Sequence, residues 1–290
     1  MALRHSAFYS PLLMTMAGGF LAEQGLEYNY KVETPDCTVA ESIRNGSCDL
    51  AQSAVAASFA ALERGETPGF MHFAQINSKD GFFIAAREPD ENFTWQKLIG
   101  KQVLVDHFFQ PLAMFKYALH QQGISYQDLK VIDAGDVEAI DQAFRNGRGD
   151  YVHMQGPAPQ QMQRDGIGSV VAVVGDAVGP VAFSSLCASP AWLESDLART
   201  FMRAYTKALQ HTINTPAAEI AARQIEAGFF THIDPQVLTD TITAYQALGC
   251  WQAETEISLA VYEKLLEVFL FSGGISQRHA YDKVIMASPS

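Results

Sequence analysis

Apolar and polar positions in the first third of the chain switch repeatedly between a strand period and a helix period. Residues 3–8 read as a strand, and Pro11, suited to a first helical turn, opens a helix that ends near Gly25. Residues 26–33 alternate apolar and polar side chains, and Thr38 with Glu41 three places later forms a capping box for a helix reaching Asn45. Strands at 49–55 and 69–75 flank a helix at 56–63. The pattern then restarts. Strands at 102–105, 130–132, 150–154 and 169–174 alternate with helices at 111–122, 137–145 and 157–164, after a short helix at 95–99. Such repeated βα units predict mostly parallel sheets covered on both faces. Beyond Pro190 the period is helical, over 191–213, 216–227, 235–248 and 257–271, with stops at Asn214-Thr215-Pro216, His232-Ile233-Asp234-Pro235 and Gly273-Gly274.

One hexapeptide frame occurs twice, as Arg44-Asn45-Gly46-Ser47-Cys48-Asp49 and Arg145-Asn146-Gly147-Arg148-Gly149-Asp150. The Arg meets the negative end of a helix dipole, Asn-Gly supplies the left-handed stop, and a new strand begins after the acid. Two helix-stop-strand units predict two similar α/β lobes. Residues 80–85 and 179–186 are extended, apolar and Gly/Pro-flanked, as a pair of crossover strands would be. Because the second crossover returns the chain to the first lobe, the late helices are placed there. Lobe one is then 1–82 plus 181–290, and lobe two is 83–180. Two facing lobes make a cleft, a preferred place for a small ligand.

Composition narrows the function. A formal net charge of −12 and the lack of any basic run exclude a nucleic-acid partner. No apolar stretch reaches the ~18 residues of a membrane helix. Arg4, the apolar run 11–16 and small Ala17-Gly18-Gly19 mimic a signal peptide. The same residues also read as a first strand and helix, so the chain as written carries no export signal. It is expected to be periplasmic or at the cell surface if Met1 replaces a removed leader, and cytoplasmic if full length. Cys37, Cys48, Cys187 and Cys250 form no CxxC pair and have no His at zinc spacing, so free thiols and no metal or other cofactor are expected.

The chain resembles the substrate-binding proteins of bacterial ABC importers for nitrate, sulfonates and thiamine-pyrimidine precursors. The matching pieces are Phe8-Tyr9-Ser10-Pro11, the segment from Gly19-Phe20-Leu21 to Gly25-Leu26, Arg44-Asn45-Gly46 with Asp49, Gly81-Phe82-Phe83, Leu98-Ile99-Gly100-Lys101 and Gly273-Gly274-Ile275. The resemblance covers essentially the whole chain. It implies the α/β, two-lobed periplasmic-binding-protein type II fold, a monomer, and an ABC permease as partner. Cytoplasmic enzymes of the same fold resemble it too, a pyrimidine-phosphate synthase and an aromatic desulfinase among them. The clustered cysteines of the synthase are missing here. The desulfinase uses one cleft cysteine, and Cys37 lies in a comparable loop.

In open α/β sheets ligands sit at the carboxyl ends of strands. That rule selects Phe8, Tyr9 and Ser10; Asp36, Cys37 and Thr38; Gln52 and Ser53; and Asn77-Ser78 in lobe one. In lobe two it selects Asp106, His107, Phe108, Phe109 and Gln110; Gly135-Asp136; and Gln155-Gly156, with Ser184 and Ser185 where the second crossover passes. None of these loops contains Arg or Lys. A nitrate or sulfonate pocket needs positive charge or many amide donors to replace the anion's hydration. Carboxylates beside aromatic rings suit instead a flat ligand with amino or protonated ring nitrogens, such as a pyrimidine. Thr38, Asp106 and Asp136 also read as helix caps, and His107 and His153 as structural histidines. The expected function is a solute-binding protein without catalysis. The rival is a cytoplasmic enzyme using Cys37 or His107.

Overall fold

The repeated frame ends two helices in the same way. Thr38 Oγ1 accepts from Glu41 N at 3.3 Å to start the helix Val39–Arg44, and Asp136 Oδ1 accepts from Ala139 N at 2.9 Å to start Val137–Arg145. Each helix stops at an Asn followed by a left-handed glycine, Gly46 at φ +74° and Gly147 at φ +85°. Each is followed by a strand, β1 (Leu50–Ala54) in the first case and β6 (Tyr151–Gln155) in the second. A computed structural model describes all residues from Met1 to Ser290.

Between these lie β2 (Met71–Asn77), β3 (Phe82–Ala86), β4 (Gln102–Val105) and β5 (Lys130–Ile132), and after them come β7 (Ser169–Val173) and β8 (Ser184–Ala188). Two sheets form. One has the order β1-β8-β2, and the other β5-β4-β6-β3-β7. The chain thus crosses between sheets twice, through residues 78–81 and 179–183, which run side by side where Val181 N donates to Ser78 O at 2.9 Å. The sheets are less parallel than predicted. β8 is antiparallel to both its neighbours, and β3 is antiparallel to β6 and β7, so only the β5-β4-β6 ladder is parallel. Each crossover strand enters a sheet's interior against the direction of the βα strands.

The amino terminus differs from the expected strand. Residues 1–3 do join the first sheet, with Met1 N on Leu50 O at 2.9 Å and Ala2 bridging Val32 and Gln52. Ser6 then caps a short 3-10 turn, Ala7–Tyr9, that leads into the helix Ser10–Ala17. The helix expected to reach Gly25 breaks at Gly18-Gly19, because Gly19 takes φ +76°, and resumes only over Phe20–Glu23.

The late helices pack on the first lobe and also reach the second. Asp196–Asn214 and Ala217–Glu226 lie against Ser10–Ala17, whereas Pro235–Leu248 meets Ala158–Arg164 and Leu259–Ser272 lies along Phe109–Gln121. Tyr117 donates to Glu267 at that last seam, and Lys264 bonds both. One apolar cluster runs through both halves, joining Phe8, Phe59 and Tyr205 to Phe82, Val103 and Phe115. The four thiols are free.

Candidate functional site: the cleft between the sheets

Where the crossovers pass, six side chains from both halves converge on one small hollow. Tyr9, Gln52 and Ser184 come from the first sheet's side, Phe108, Gln110 and Gln155 from the second's, and the volume left is about 20 Å³. Leu3, Ala54, Phe82, Pro111 and Phe183 complete the apolar wall. A larger recess of about 260 Å³ adjoins it, lined by Glu33, Thr38, Ser53, Phe70 and Phe109 among others. Leu3, Ala54, Phe108 and Gln110 border both spaces.

The hollow is closed by bonds between the halves. Gln110, 1% exposed at the start of its helix, donates Nε2 to Phe183 O at 2.8 Å and accepts from Ala56 N at 3.3 Å. Ser6 Oγ donates to Gly156 O at 3.0 Å, and Gly156 N donates to Tyr245 Oη at 3.0 Å. Gln52 is fixed by Leu3 N, which donates to its Oε1 at 3.0 Å, while its Nε2 reaches Ser184 Oγ at 3.5 Å. Burial raises the Tyr9 hydroxyl's pKa against the opposing pull of Ser184, Arg4 and Gln155, so Tyr9 stays a neutral donor.

The sequence reading of a cleft free of basic side chains is wrong. Arg4 lines the hollow, its Nη1 2.9 Å from Asp106 Oδ2 and its guanidinium 4.5 Å above the Phe108 ring. Arg4 was missed because it lies in the segment entering the cleft, upstream of the loops that the strand-end rule selects. Asp106 is 5% exposed and also accepts from Phe108 N at 2.8 Å, so it fixes the turn before the helix Phe109–Gln121. Burial works to raise its pKa. The Arg4 hydrogen bond and charge, the Phe108 N–H and the field of His153 together hold it below the usual carboxylate value.

Other expected residues lie elsewhere. Phe8 is wholly buried in the core, packed on Phe183 and Tyr245, and Ser10 Oγ is spent on Ala7 O at 2.7 Å. Asp36 sits exposed on a surface turn. Cys37, 3.4 Å from Ser42 Oγ, lines a third space of about 230 Å³ that shares no wall residue with the cleft. His107 turns away to Val105 O and Tyr126. Strand alternation sends Ser185 to the opposite face from Ser184, onto His72 Nδ1 at 2.6 Å. Thr38 and Ser53 face the outer recess.

Two buried groups stand behind the cleft. Asp80, on the first crossover, accepts from Phe82 N at 2.6 Å while its Oδ2 has no partner. Burial pushes its pKa up to about 8, with the Asp106 charge adding to the rise against the Phe82 N–H. His153 is stacked between Phe82 and Phe115 at 4.8 and 4.7 Å, both ring nitrogens unpartnered, and burial drops its pKa to about 3.

The chain is similar to known proteins in sequence and in fold. The putative binding protein YtlA of Bacillus subtilis (strain 168) is 29% identical over 286 residues, which are 97% of this chain and 85% of that protein. The alkanesulfonate-binding protein SsuA from Xanthomonas axonopodis pv. citri, solved bound to MOPS, aligns at TM-score 0.72 and 15% identity, over 99% of this chain and 98% of that one. The periplasmic nitrate-binding protein NrtA from Synechocystis PCC 6803 aligns at TM-score 0.68 and 14% identity, over 97% and 82%. With the two sheets and two crossovers, these likenesses establish the periplasmic-binding-protein type II fold. The family described as "NMT1/THI5 like" matches residues 7–219, and the chain belongs to it.

Proposed function

We propose that the protein is the solute-binding component of an ABC importer and that it closes around one small, neutral, ring-shaped nitrogen compound of the pyrimidine kind. The hollow between the sheets carries this reading. Its polar lining is neutral hydroxyl and amide, from Tyr9, Gln52, Gln110, Gln155 and Ser184; its phenyl rings are Phe82, Phe108 and Phe183; and its one cation is already paired. Such a lining offers donors and acceptors to ring nitrogens and amino groups without supplying a free charge. We read the conformation, in which about 20 Å³ remains, as the closed one; a ligand enters as Phe108 swings out and the two spaces merge, Arg4 staying on Asp106. Ligand touching both halves then favours closure by its differential affinity.

On this reading the lobes are 1–82 plus 181–290 and 83–180, hinged at the crossovers, and the closed face is presented to a membrane permease. The protein works as a monomer outside the inner membrane, and no turnover takes place. Cys37 takes no part in these ligand contacts, because it lines a separate space.

The test is a thermal-shift screen with 4-aminopyrimidines, flavins and sulfonates, followed by mass spectrometry of the recovered ligand. A rise in Tm with the pyrimidines and unchanged ligand is expected. Chemical conversion of any stabilising compound refutes the binding-only reading. Stabilisation by sulfonates alone refutes the ligand class.

A further inference from the structure

A cleft with an arginine in its wall is, on first inspection, an anion site. A guanidinium presents five N–H donors in a planar fork that matches carboxylate, sulfonate and nitrate oxygens. Here only Nη1 is bonded to Asp106, and the Arg4 side chain keeps 24% of its surface open, so the fork is reachable from the hollow. What differs is the carboxylate behind it.

We propose that Asp106 is a specificity-determining residue of the cleft: by holding Arg4 it keeps the site electrically neutral, so that uncharged ring compounds enter and oxyanions are refused. The inference rests on the reading that this cleft is the ligand site.

Three observations support it. First, Asp106 is almost wholly covered, with one oxygen on Arg4 and the other on Phe108 N, so it cannot swing into water when an anion approaches. Second, it remains ionised at neutral pH, since the Arg4 contacts and the Phe108 N–H outweigh the effect of burial. Third, no other cation lines either space, and the outer recess adds Glu33, whose carboxylate is fixed by Val39 N at 2.6 Å. An anion seated on the open edge of Arg4 therefore meets a second, immobile negative charge. At a separation of about 6 Å and an effective dielectric of about 20, that repulsion weakens binding roughly 100-fold. Asp80 does not deepen the field, because it is mainly protonated at pH 7. A neutral ligand is indifferent to this balance and can still take a hydrogen bond from the free N–H groups of Arg4 through a ring nitrogen or carbonyl.

The test is isothermal titration of the full chain with sodium ethanesulfonate and sodium nitrate, at neutral pH and low salt. The wild type is expected to give no saturable heat at millimolar ligand. D106N, with native circular dichroism and a melting temperature near the wild type's, is expected to bind about 100-fold more tightly, and R4Q/D106N to lose that gain. Micromolar oxyanion binding by the wild type overturns the proposal, as does a folded D106N no better than wild type. D106S repeats the experiment if the asparagine amide disturbs Arg4. Loss of fold in both variants also overturns it, because Asp106 would then be a structural requirement. If D106N gains oxyanions while pyrimidines fail to stabilise the wild type, the ligand class falls and the filter stands; the reverse pattern sinks the filter alone.

Discussion

Asp80→Asn isolates one buried proton on the first crossover. Asp80 has an ordinary value of 3.8, its folded value is about 8, and it is fully enclosed on the crossover next to Phe82. The folded state therefore holds a proton that the unfolded state releases above about pH 4. A raised folded pKa means that the stability contribution is complete below the unfolded value and is lost as pH climbs through the folded one. Integrating a single site between pH 6.5 and 8 gives a loss of about 1.5 kcal/mol for the wild type. This window suits the measurement, because His72 and His153, both depressed to about 3 by burial, act mainly below 6.5, where falling pH destabilises the fold. The amide introduced by D80N can still accept from Phe82 N but cannot ionise. The variant's absolute stability depends on burying an extra N–H, whereas its pH slope does not. Urea unfolding followed by tryptophan fluorescence should thus show wild-type stability falling by about 1.5 kcal/mol across the window while D80N stays flat. Parallel profiles for the two proteins would refute the assignment of a protonated carboxylic acid on the crossover.

Two further substitutions probe the seam. Gln110→Ala removes both of that side chain's bonds to the backbone across the cleft; Ala56 N loses its partner, while Phe183 O keeps only Val55 N at 3.2 Å. It should lower stability by about 2 kcal/mol and enlarge the radius of gyration seen by solution scattering; unchanged scattering and Tm would mean that the bonds do not hold the halves together. Gly81→Ala places a Cβ 2.3 Å from the Phe8 ring, which Phe183 and Tyr245 confine. Calorimetry should record a loss of about 1–3 kcal/mol from this overpacking, and a neutral result would show that the ring yields.

Local chemistry made most of the elements legible. Thr38 and Asp136 each supply one cap oxygen to a neighbouring N–H, and the two Asn-Gly stops need only a left-handed residue, so both depend on a few adjacent residues. Strand direction was harder. The pattern of β8 is the same whichever way its neighbours run, and its antiparallel placement follows from where the crossover enters the sheet. Gln52, Gln110, Gln155 and Ser184 come together at one hollow because strand ends and helix starts do face the space between the sheets. Ser185 and Cys37 were misplaced because loop membership says nothing of which side a particular side chain takes. Arg4 and Asp106, 102 residues apart, meet only through the packing of one sheet's side against the other's, and no local pattern carries that information.

The seat of β8 has a consequence for synthesis on the ribosome. β1 and β2 share no ladder with each other; both are zipped to β8, which leaves the exit tunnel only after every strand of the other sheet. The earlier-made half must therefore wait, its strand edges bare, while the later-made half can already collapse. In the cell, the window of exposure to aggregation and to chaperones is set by how quickly residues 184–188 arrive.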